Sequence, residues 1–306
     1  MPELPDVTVY VERLAALAGG QTLERVRLAS PFLLRTVEPP LAAAFGRRLA
    51  GVERLGKRIV LVLDGDLFLA IHLMIAGRLR WRDPGAAVPA RDGLCALDFA
   101  GGTLLLTEAS KKRRASLHIF ASRETLAAHH TPGLEPLEAS AEGFEATLLS
   151  ENRTLKRALT DPRLFSGIGN AYSDEILFEA RLSPMKLTSR LDPAERRALR
   201  EATRAVLARF TERIRAEVGD GFPEKVTAFR DDMAVHGRHR RPCVRCGAEV
   251  QRIVYAENEC DYCAACQNQG RLLADRALSQ LLKRDWPRTL EELELARTLG
   301  PARGRR

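Results

Sequence analysis

The chain has 306 residues, 45% hydrophobic and 29% charged, which excludes a disordered chain and is long enough for two domains with their own cores. Lys and Arg outnumber Asp and Glu by 48 to 40, and the net charge of +8 favours a polyanionic partner without distinguishing DNA, RNA and acidic lipid. No apolar run reaches the roughly 18 residues of a membrane span, and the start does not resemble a signal peptide. These features predict a cytoplasmic protein with no membrane partner.

The first predicted element is a helix over residues 7–18, where apolar residues recur at helical spacing. Asp6 is the predicted N-cap, and Gly19-Gly20 is a stop signal. From about residue 22 to 120 the pattern changes to short apolar runs. Two of these runs, 59–63 and 67–73, are separated by Asp64-Gly65, a hairpin signal. This part is therefore predicted to be an antiparallel β-sandwich or barrel.

Residues 121–138 carry few large apolar side chains and contain His, Pro and Gly, which predicts a linker before a helical part. Helical spacing recurs at 142–150, 154–160, 171–180, 193–218 and 273–282. A capping box from Thr289 to Glu292 predicts one more helix, in a tail that we expect to pack on the chain itself. The expected boundaries are a β domain at 1–122, a linker at 123–140, a helical domain at 141–225, a cysteine-rich module at 236–270 and a basic helical extension at 271–306.

The cysteines give the strongest spacing signal. Cys243-x2-Cys246 and Cys263-x2-Cys266 are separated by sixteen residues, a pattern that suits four thiolates around one structural Zn²⁺. Cys260-x2-Cys263 is an alternative half-site, and otherwise Cys260 is a spectator thiol. Cys95 stands alone and is expected to be a small core residue.

The N-terminus is the second candidate site. It reads Met1-Pro2-Glu3-Leu4-Pro5-Asp6, and a small second residue normally permits removal of the initiator methionine. Pro2 would then offer a secondary amine that is less basic than a lysine and that condenses with a sugar aldehyde to an iminium. Glu3 beside it suits proton transfer. Without further support, Pro-Glu is also an ordinary chain terminus.

Four separate motifs resemble, in order, the formamidopyrimidine-DNA glycosylase and endonuclease VIII family over residues 2 to 270. They are Pro2-Glu3-Leu4-Pro5, Gly56-Lys57 before a strand, Lys156 with Gly167-Ile168-Gly169-Asn170-Ala171-Tyr172-Ser173-Asp174-Glu175, and the four cysteines. The resemblance implies an α+β fold, in which a β-sandwich with a catalytic N-terminal helix is followed by a helix-two-turns-helix domain and a zinc finger. It also implies a monomer of the bacterial cytoplasm and nucleoid that binds damaged double-stranded DNA in a cleft between its domains.

The resemblance further implies a base-excision-repair glycosylase with AP lyase activity on oxidised or otherwise damaged bases. Pro2 would attack C1′ of a flipped-out nucleotide, which is hidden from a protein amine while stacked. Glu3 would assist ring opening and proton transfer, and β,δ-elimination would cut the strand. Lys57 matches the family's catalytic lysine, and a cation there suits the phosphate next to the lesion.

The resemblance assigns DNA contacts to four further residues. Lys156 would contact phosphate, Asn170 would donate from the turn between the helices, Arg113 would fill the gap left by the flipped base, and Asn258 would lie at the finger tip. A surface charge is the alternative for Lys156. Glu175 matches a family acidic residue near the active site and is equally suited to stabilising a helix.

The sequence departs from the family pattern at the finger tip, the wedge loop and the void-filling residue. Asn258 replaces an arginine and removes a charged phosphate clamp, so Arg252 or Arg271 compensates or the DNA is gripped differently. The loop 107–114 has no aromatic wedge; Arg113 or Lys112 fills the gap, or this loop is a solvated basic face. Ile75 replaces the void-filling methionine and is either a wedge or a core residue.

The preferred lesion is not assigned by these residues, although the resemblance places residues 225–229 near the loop that covers the flipped base. A non-catalytic nucleic-acid-binding zinc protein derived from this family is the alternative function, favoured by Asn258. Pro2, Glu3 and Lys57 favour the enzyme, because phosphate binding has no use for an imine-forming amine. A zinc-ribbon protein of the translation machinery would explain the charge but not the N-terminus.

Overall fold

The computed structural model describes residues 1–130, 133–224, 226, 230–255, 258–274 and 286–299. The chain divides into two units: Met1–Glu135 with Leu207–Ala228, and Pro136–Val206 with Phe229–Arg306. Within the described residues, no helix combines the length and apolar character needed to cross a membrane.

The first unit contains an N-terminal helix and one antiparallel sheet. Helix α1 spans Leu4–Ala18, and the strands are β1 Thr22–Leu28, β2 Arg47–Leu55, β3 Arg58–Leu63, β4 Leu67–His72, β5 Gly77–Arg82, β6 Gly93–Phe99, β7 Gly102–Glu108 and β8 Ser116–Phe120. Their order is β5-β7-β6-β1-β2-β3-β4-β8. Strands β1 and β2 pair at only two positions, so the sheet has two four-stranded halves. Both halves and α1 contribute to one apolar core, which confirms the predicted β-sandwich.

Helix α1 begins three residues earlier than the sequence predicts. Glu3 is its N-cap, Pro5 lies in the first turn, and Asp6 is the third helical residue. Proline is tolerated there because its missing N–H would have no intrahelical partner. Asp6 instead accepts a hydrogen bond from the Glu3 backbone N–H at 2.9 Å, so its prediction as the N-cap is wrong. Glu3 is therefore attached directly to the start of a rigid helix.

The region predicted as a linker contains helix α2, Arg123–His129. Ser122 caps it by accepting from the Thr125 backbone N–H at 3.2 Å, a local signal that the composition of this region obscured. Leu126 packs with apolar residues on the face of β3, β4 and β8 opposite the main core. The segment that the sequence assigns to a linker, residues 123–140, therefore contains an ordered helix.

Histidines gather between α2 and this sheet face. The rings of His118 and His129 lie 4.5 Å apart, and His118 also stacks on Phe120 at 5.9 Å. Burial, with nearby positive charges contributing less, lowers the pKa of His72, His118 and His130 to about 4 each. All three are therefore neutral near pH 7.

We expect the first unit to lose stability as the pH falls. The folded pKa of about 4 for His118 lies below its ordinary value of 6.5, so the unfolded chain takes up its proton first. Stability is retained above pH 6.5 and declines from there towards pH 4. Thermal melts of the wild type and of His118→Gln between pH 7.5 and 4.5 measure this. An equally steep decline in the variant would contradict a contribution from His118.

The second unit contains most of the helices and a two-stranded hairpin. Its elements are α3 Ala141–Leu149, α4 Leu155–Thr160, α5 Asn170–Glu179, α6 Pro193–Val218, whose last part belongs to the first unit, β9 Val250–Tyr255, β10 Asn258–Cys263, α7 Ala264–Asn268 and α8 Leu290–Leu299. The four helices predicted between 142 and 218 agree with α3 to α6 within a residue or so at each end. The helix predicted at 273–282 lies, beyond residue 274, outside the described residues.

The described part of the C-terminal extension packs on the hairpin, whereas Leu278, Leu281 and Leu282, which were expected to pack on the chain, lie outside the described residues. Thr289 caps α8 by accepting from the Glu292 backbone N–H at 3.2 Å, while the Glu292 carboxylate accepts from the Arg288 N–H at 2.6 Å. Leu290 packs against the cluster that contains Ile253 and Tyr262. Further along α8, Arg297 makes two hydrogen bonds to Glu249 at 2.7 and 2.9 Å. The extension and the hairpin are therefore joined by apolar and charged contacts.

Candidate active site, zinc centre and DNA-binding residues

The N-terminal amine lies in a mostly buried, charged environment. Met1 precedes Pro2 in the structure, so the Pro2 nitrogen is an amide here, and Pro2 itself is buried. Burial is the main cause that lowers the pKa of the Met1 amine; Glu3 and Asp6 oppose this, and Arg78 and Lys57 lower it further. The side chain of Glu3 is 2% exposed. Glu3 and Lys57 thus both lie within electrostatic range of the chain terminus.

Arg78 is a residue of this environment that the sequence reasoning missed. It lies in the edge strand β5, and its guanidinium donates to the carbonyl oxygens of Ile75 at 3.2 Å and Gly77 at 2.7 Å. Ile75 is 59% exposed, so of its two predicted roles the core role is wrong. The only available signal was the alternation of arginines with Leu79 and Trp81 along β5.

Lys57 occupies the tight turn between β2 and β3. Gly56 before it has φ of 63°, a left-handed conformation that glycine adopts without steric cost. Lys57 itself is partly buried. The turn therefore presents Lys57 from a fixed backbone position at the end of two paired strands.

The loop after β7 presents a run of exposed cations, and a buried carboxylate anchors it. Glu108 accepts from the backbone N–H groups of Arg114 at 3.0 Å and Ala115 at 2.9 Å. Arg113 is exposed, has φ of 32°, and donates to the Arg91 carbonyl at 3.1 Å. Glu108, at the end of β7, thus joins the start of the loop to its end. Arg113 within this loop stays a predicted DNA contact.

Lys156 lies inside the second unit. It is 2% exposed, and its ammonium forms an ion pair with Asp174 Oδ1 at 2.6 Å and donates to the Asn170 carbonyl at 2.7 Å. The alternative of a surface charge is therefore wrong. In this structure the Lys156 ammonium is directed at Asp174. The phosphate contact of Lys156 stays a prediction.

Asn170 is the first residue of α5. It is partly exposed, follows the N-cap Gly169, and stands after a turn in which Gly167 has φ of 77°. The first backbone N–H groups of a helix have no intrahelical acceptor, and the helix dipole attracts anions to them. This geometry suits the predicted phosphate contact of Asn170.

Asp174 is the centre of a buried polar network between α5 and the hairpin. Besides Lys156, it accepts from His236 Nδ1 at 2.8 Å, from Cys260 Sγ at 3.1 Å and from the Asp261 N–H at 3.2 Å. Burial opposes ionisation of Asp174, but the Lys156 cation and His236 together hold its pKa below the ordinary value. Asp174 is therefore ionised and ties three segments together.

Glu175, the next residue, binds backbone on the same side of the unit. Its carboxylate accepts from the N–H groups of Ala234 at 2.8 Å, Val235 at 2.9 Å and His236 at 3.0 Å. Burial raises the pKa of Glu175, and these three hydrogen bonds oppose the rise. Glu175 thus holds the segment that leads into the cysteine module, a role that neither prediction named.

Four thiols come together as the spacing predicted. The Sγ atoms of Cys243, Cys246, Cys263 and Cys266 all lie within 4.8 Å of one another, with Cys243–Cys266 at 4.0 Å and Cys246–Cys263 at 3.5 Å. Tetrahedral zinc with Zn–S bonds of about 2.3 Å requires sulfur separations of roughly 3.8 Å. The residues therefore fit a zinc ion.

The other cysteines stand apart from this set. Cys260 lies outside the four-thiol group and contacts Asp174 instead, so the alternative half-site is wrong. Cys95 is fully buried in the core of the first unit, as predicted.

Two family models match the chain in the same order as these sites. Residues 1–117 match the formamidopyrimidine-DNA glycosylase N-terminal domain, and residues 133–218 match the formamidopyrimidine-DNA glycosylase H2TH domain. The chain is also 36% identical over 279 residues to the formamidopyrimidine-DNA glycosylase of Thermus thermophilus, covering 88% of this chain and 100% of the relative. The chain belongs to the formamidopyrimidine-DNA glycosylase family.

Solved structures of the family agree with the fold. The crystal structure of the MutM (Fpg) protein from Thermus thermophilus has a TM-score of 0.72 and 35% identity, covering 87% of this chain and 98% of that chain. A complex between the Lactococcus lactis Fpg and DNA containing an abasic site has a TM-score of 0.76, covering 87% and 99%. At 23% identity, that second similarity shows the fold alone.

The sequence predicts Asn258 at the tip of the finger in this member of the formamidopyrimidine-DNA glycosylase family. Asn258 begins β10 opposite Tyr255, at the tip end of the hairpin. Arg252, one of the two predicted substitutes for a tip arginine, is bonded to Asp261 at 2.8 and 3.1 Å and paired with Glu259 at 2.8 Å. The charge of Arg252 is thus already compensated within the hairpin, whereas Arg271 is exposed.

We expect Lys156→Met to destabilise the second unit strongly. Removing one partner of a buried ion pair leaves an uncompensated charge on Asp174, which typically costs about 3–5 kcal/mol. Lys186→Met is a matched control, because the Lys186–Glu195 pair is partly exposed and such pairs contribute only about 0–1 kcal/mol. Urea denaturation of both variants measures the difference, and equal unfolding midpoints would contradict a structural role for Lys156.

Proposed function

We propose that this protein is a bifunctional DNA glycosylase and AP lyase that removes damaged bases from double-stranded DNA. The observation that carries the proposal is the chain terminus, where Pro2 and Glu3 are buried at the start of α1 and where Glu3 and Lys57 lie within electrostatic range of the terminal amine. Once Met1 is removed, Pro2 offers a secondary amine that is less basic than a lysine, so more of it is unprotonated near pH 7, as a nucleophile requires. Membership of the family supports the same chemistry.

The proposed reaction begins once Met1 has been removed. The Pro2 nitrogen attacks C1′ of the damaged nucleotide, the bond from C1′ to the base breaks, and the base leaves with a proton. The sugar ring opens as Glu3 delivers a proton to the ring oxygen, which gives an iminium between Pro2 and C1′. Loss of a proton from C2′ expels the 3′ phosphate, loss of a proton from C4′ then expels the 5′ phosphate, and water hydrolyses the iminium.

Lys57 is the third catalytic residue in this proposal, because its cation balances charge on the phosphate beside the lesion. The other predicted residues serve binding: the N-terminus of α5 with Asn170 holds another phosphate. Arg113 enters the space left by the flipped base. One structural zinc ion, held by the four thiolates, keeps the hairpin folded and takes no part in the chemistry.

The alternative function is a non-catalytic nucleic-acid-binding protein of the same family. Asn258 favours it, because a neutral amide at the finger tip gives no charged phosphate clamp and Arg252 is already paired. In both functions the protein is a monomer of the bacterial cytoplasm that binds nucleic acid; the enzyme binds damaged duplex DNA, and the alternative binds DNA or RNA. They differ in whether a covalent intermediate forms.

Borohydride trapping distinguishes the two functions. Borohydride reduces an iminium to a stable amine, so the protein with Met1 removed should become covalently attached to duplex DNA that contains an abasic site. We expect one adduct per active molecule and strand cleavage when borohydride is omitted. If the protein binds this DNA without forming an adduct, the enzyme proposal is lost.

A further inference from the structure

Two arginines flank the Gly56-Lys57 turn, one on each strand. Arg54, near the end of β2, donates from Nη1 to the Gly56 carbonyl at 3.0 Å. Its Nη2 forms an ion pair with Glu135, and both side chains are largely buried. Arg54 therefore links the backbone of the turn to a carboxylate 81 residues away in sequence.

Arg58, at the start of β3, makes a similar link from the other side. Its Nη1 is hydrogen-bonded to His130 Nδ1. Burial, followed by the Arg58 charge, lowers the pKa of His130 to about 4, so the ring is neutral near pH 7 and Nδ1 is the acceptor. His72 in β4 is the cross-strand partner of Arg58 in β3.

His130 and Glu135 both belong to the segment that follows α2. Their two links reach the turn from the ends of two adjacent strands, on either side of Lys57. A hairpin end fixed only by its own strands frays readily, because few contacts oppose local opening. Here two charge-assisted hydrogen bonds and one ion pair oppose that opening.

We propose that His130 and Glu135 are positioning residues for Lys57, acting through Arg58 and Arg54; this rests on the role of Lys57 in the proposed function. Neither residue touches DNA in this mechanism. They hold the turn so that the Lys57 ammonium keeps a fixed position relative to the Pro2 amine. Displacing a catalytic group by about 1 Å can lower a rate about 100-fold, so small movements of this turn have large effects.

The test compares cleavage rate with binding in the full-length protein. Glu135→Gln removes the charge that holds Arg54, and His130→Leu removes the acceptor for Arg58. We expect each to lower the single-turnover cleavage of abasic-site duplex about tenfold or more. The Kd for a duplex carrying the unreactive tetrahydrofuran analogue should rise by a much smaller factor, because the phosphate contacts away from Lys57 remain. His130→Asn should restore most of the rate, because its amide oxygen can replace Nδ1 as acceptor.

Glu53→Gln is the matched control. It breaks the exposed Arg123–Glu53 pair, which also joins the α2 region to β2 but does not touch the turn. Its cleavage rate should equal that of the wild type. Wild-type rates in Glu135→Gln and His130→Leu, or rates that fall only with the melting temperature and are not restored by His130→Asn, would overturn the inference. Absence of cleavage by the wild type would instead overturn the proposed function.

Discussion

A form of the protein in which Met and an inserted Lys remain before Pro2 is expected to lose covalent trapping and strand cleavage. Inserting lysine between Met1 and Pro2 prevents methionine removal and leaves the Pro2 nitrogen in an amide, which has no nucleophilic lone pair. Removing a nucleophile typically lowers turnover by at least about 10³-fold. Borohydride trapping on abasic-site duplex measures the loss, and mass spectrometry of the intact protein establishes the terminus of each form.

Two comparisons make this result specific to the amine. Pro2→Gly keeps a free, primary amine at the same place, so some trapping should survive. Both forms should bind tetrahydrofuran duplex as the wild type does, because Pro2 is buried at the start of α1 and is assigned no phosphate contact. Undiminished trapping by the lysine-extended form would show that another amine, such as Lys57, is the nucleophile.

Much of the fold follows from local sequence patterns. Period-two and continuous apolar runs located strands β3 and β4, and helical spacing located α3 to α6 within a residue or so. Cysteine spacing identified the four thiols that lie together. Each of these signals is contained in a short window, where the backbone geometry directly determines which side chains share a face.

The side chains that set the electrostatics of the sites could not be predicted in this way. No sequence pattern showed that Lys156 is buried against Asp174, 18 residues later. His236 and Cys260 bind the same carboxylate from 62 and 86 residues away. Such contacts depend on how whole elements pack against one another. The composition of one segment therefore does not predict which distant residue its side chains contact.

The N-terminal site shows the same limit at close range. The pattern correctly placed a helix after Pro2 and Glu3 but assigned the cap to Asp6, because the apolar periodicity begins only one residue later. Arg78 was missed altogether, since a basic residue on an edge strand has many possible surroundings. Only the folded structure shows that the Arg78 guanidinium donates to the Ile75 carbonyl and that its charge acts on the Met1 amine.

Removing one zinc thiolate should unfold the hairpin locally and weaken DNA binding. Cys246 is the exposed ligand, so Cys246→Ser removes a metal bond with little loss of packing. Structural zinc contributes about 10–16 kcal/mol to the folding of zinc-finger peptides. We expect zinc content to fall from one ion per chain to nearly none. Hydrogen exchange of β9 and β10 should rise, and tetrahydrofuran duplex should bind more weakly.

Cys260→Ser is the control for this prediction, because Cys260 is a cysteine of the same hairpin that lies outside the thiol group. The Cys260→Ser variant should keep one zinc ion, and hydrogen exchange of the β9 amides should stay as slow as in the wild type. Even in Cys246→Ser the hairpin should stay close to α5 and α8, since Asp174, and the Arg297–Glu249 pair, hold it independently of the metal. Full zinc content in Cys246→Ser would refute the four-thiolate site. Unchanged DNA affinity after zinc loss would mean that the hairpin is not part of the DNA-binding surface.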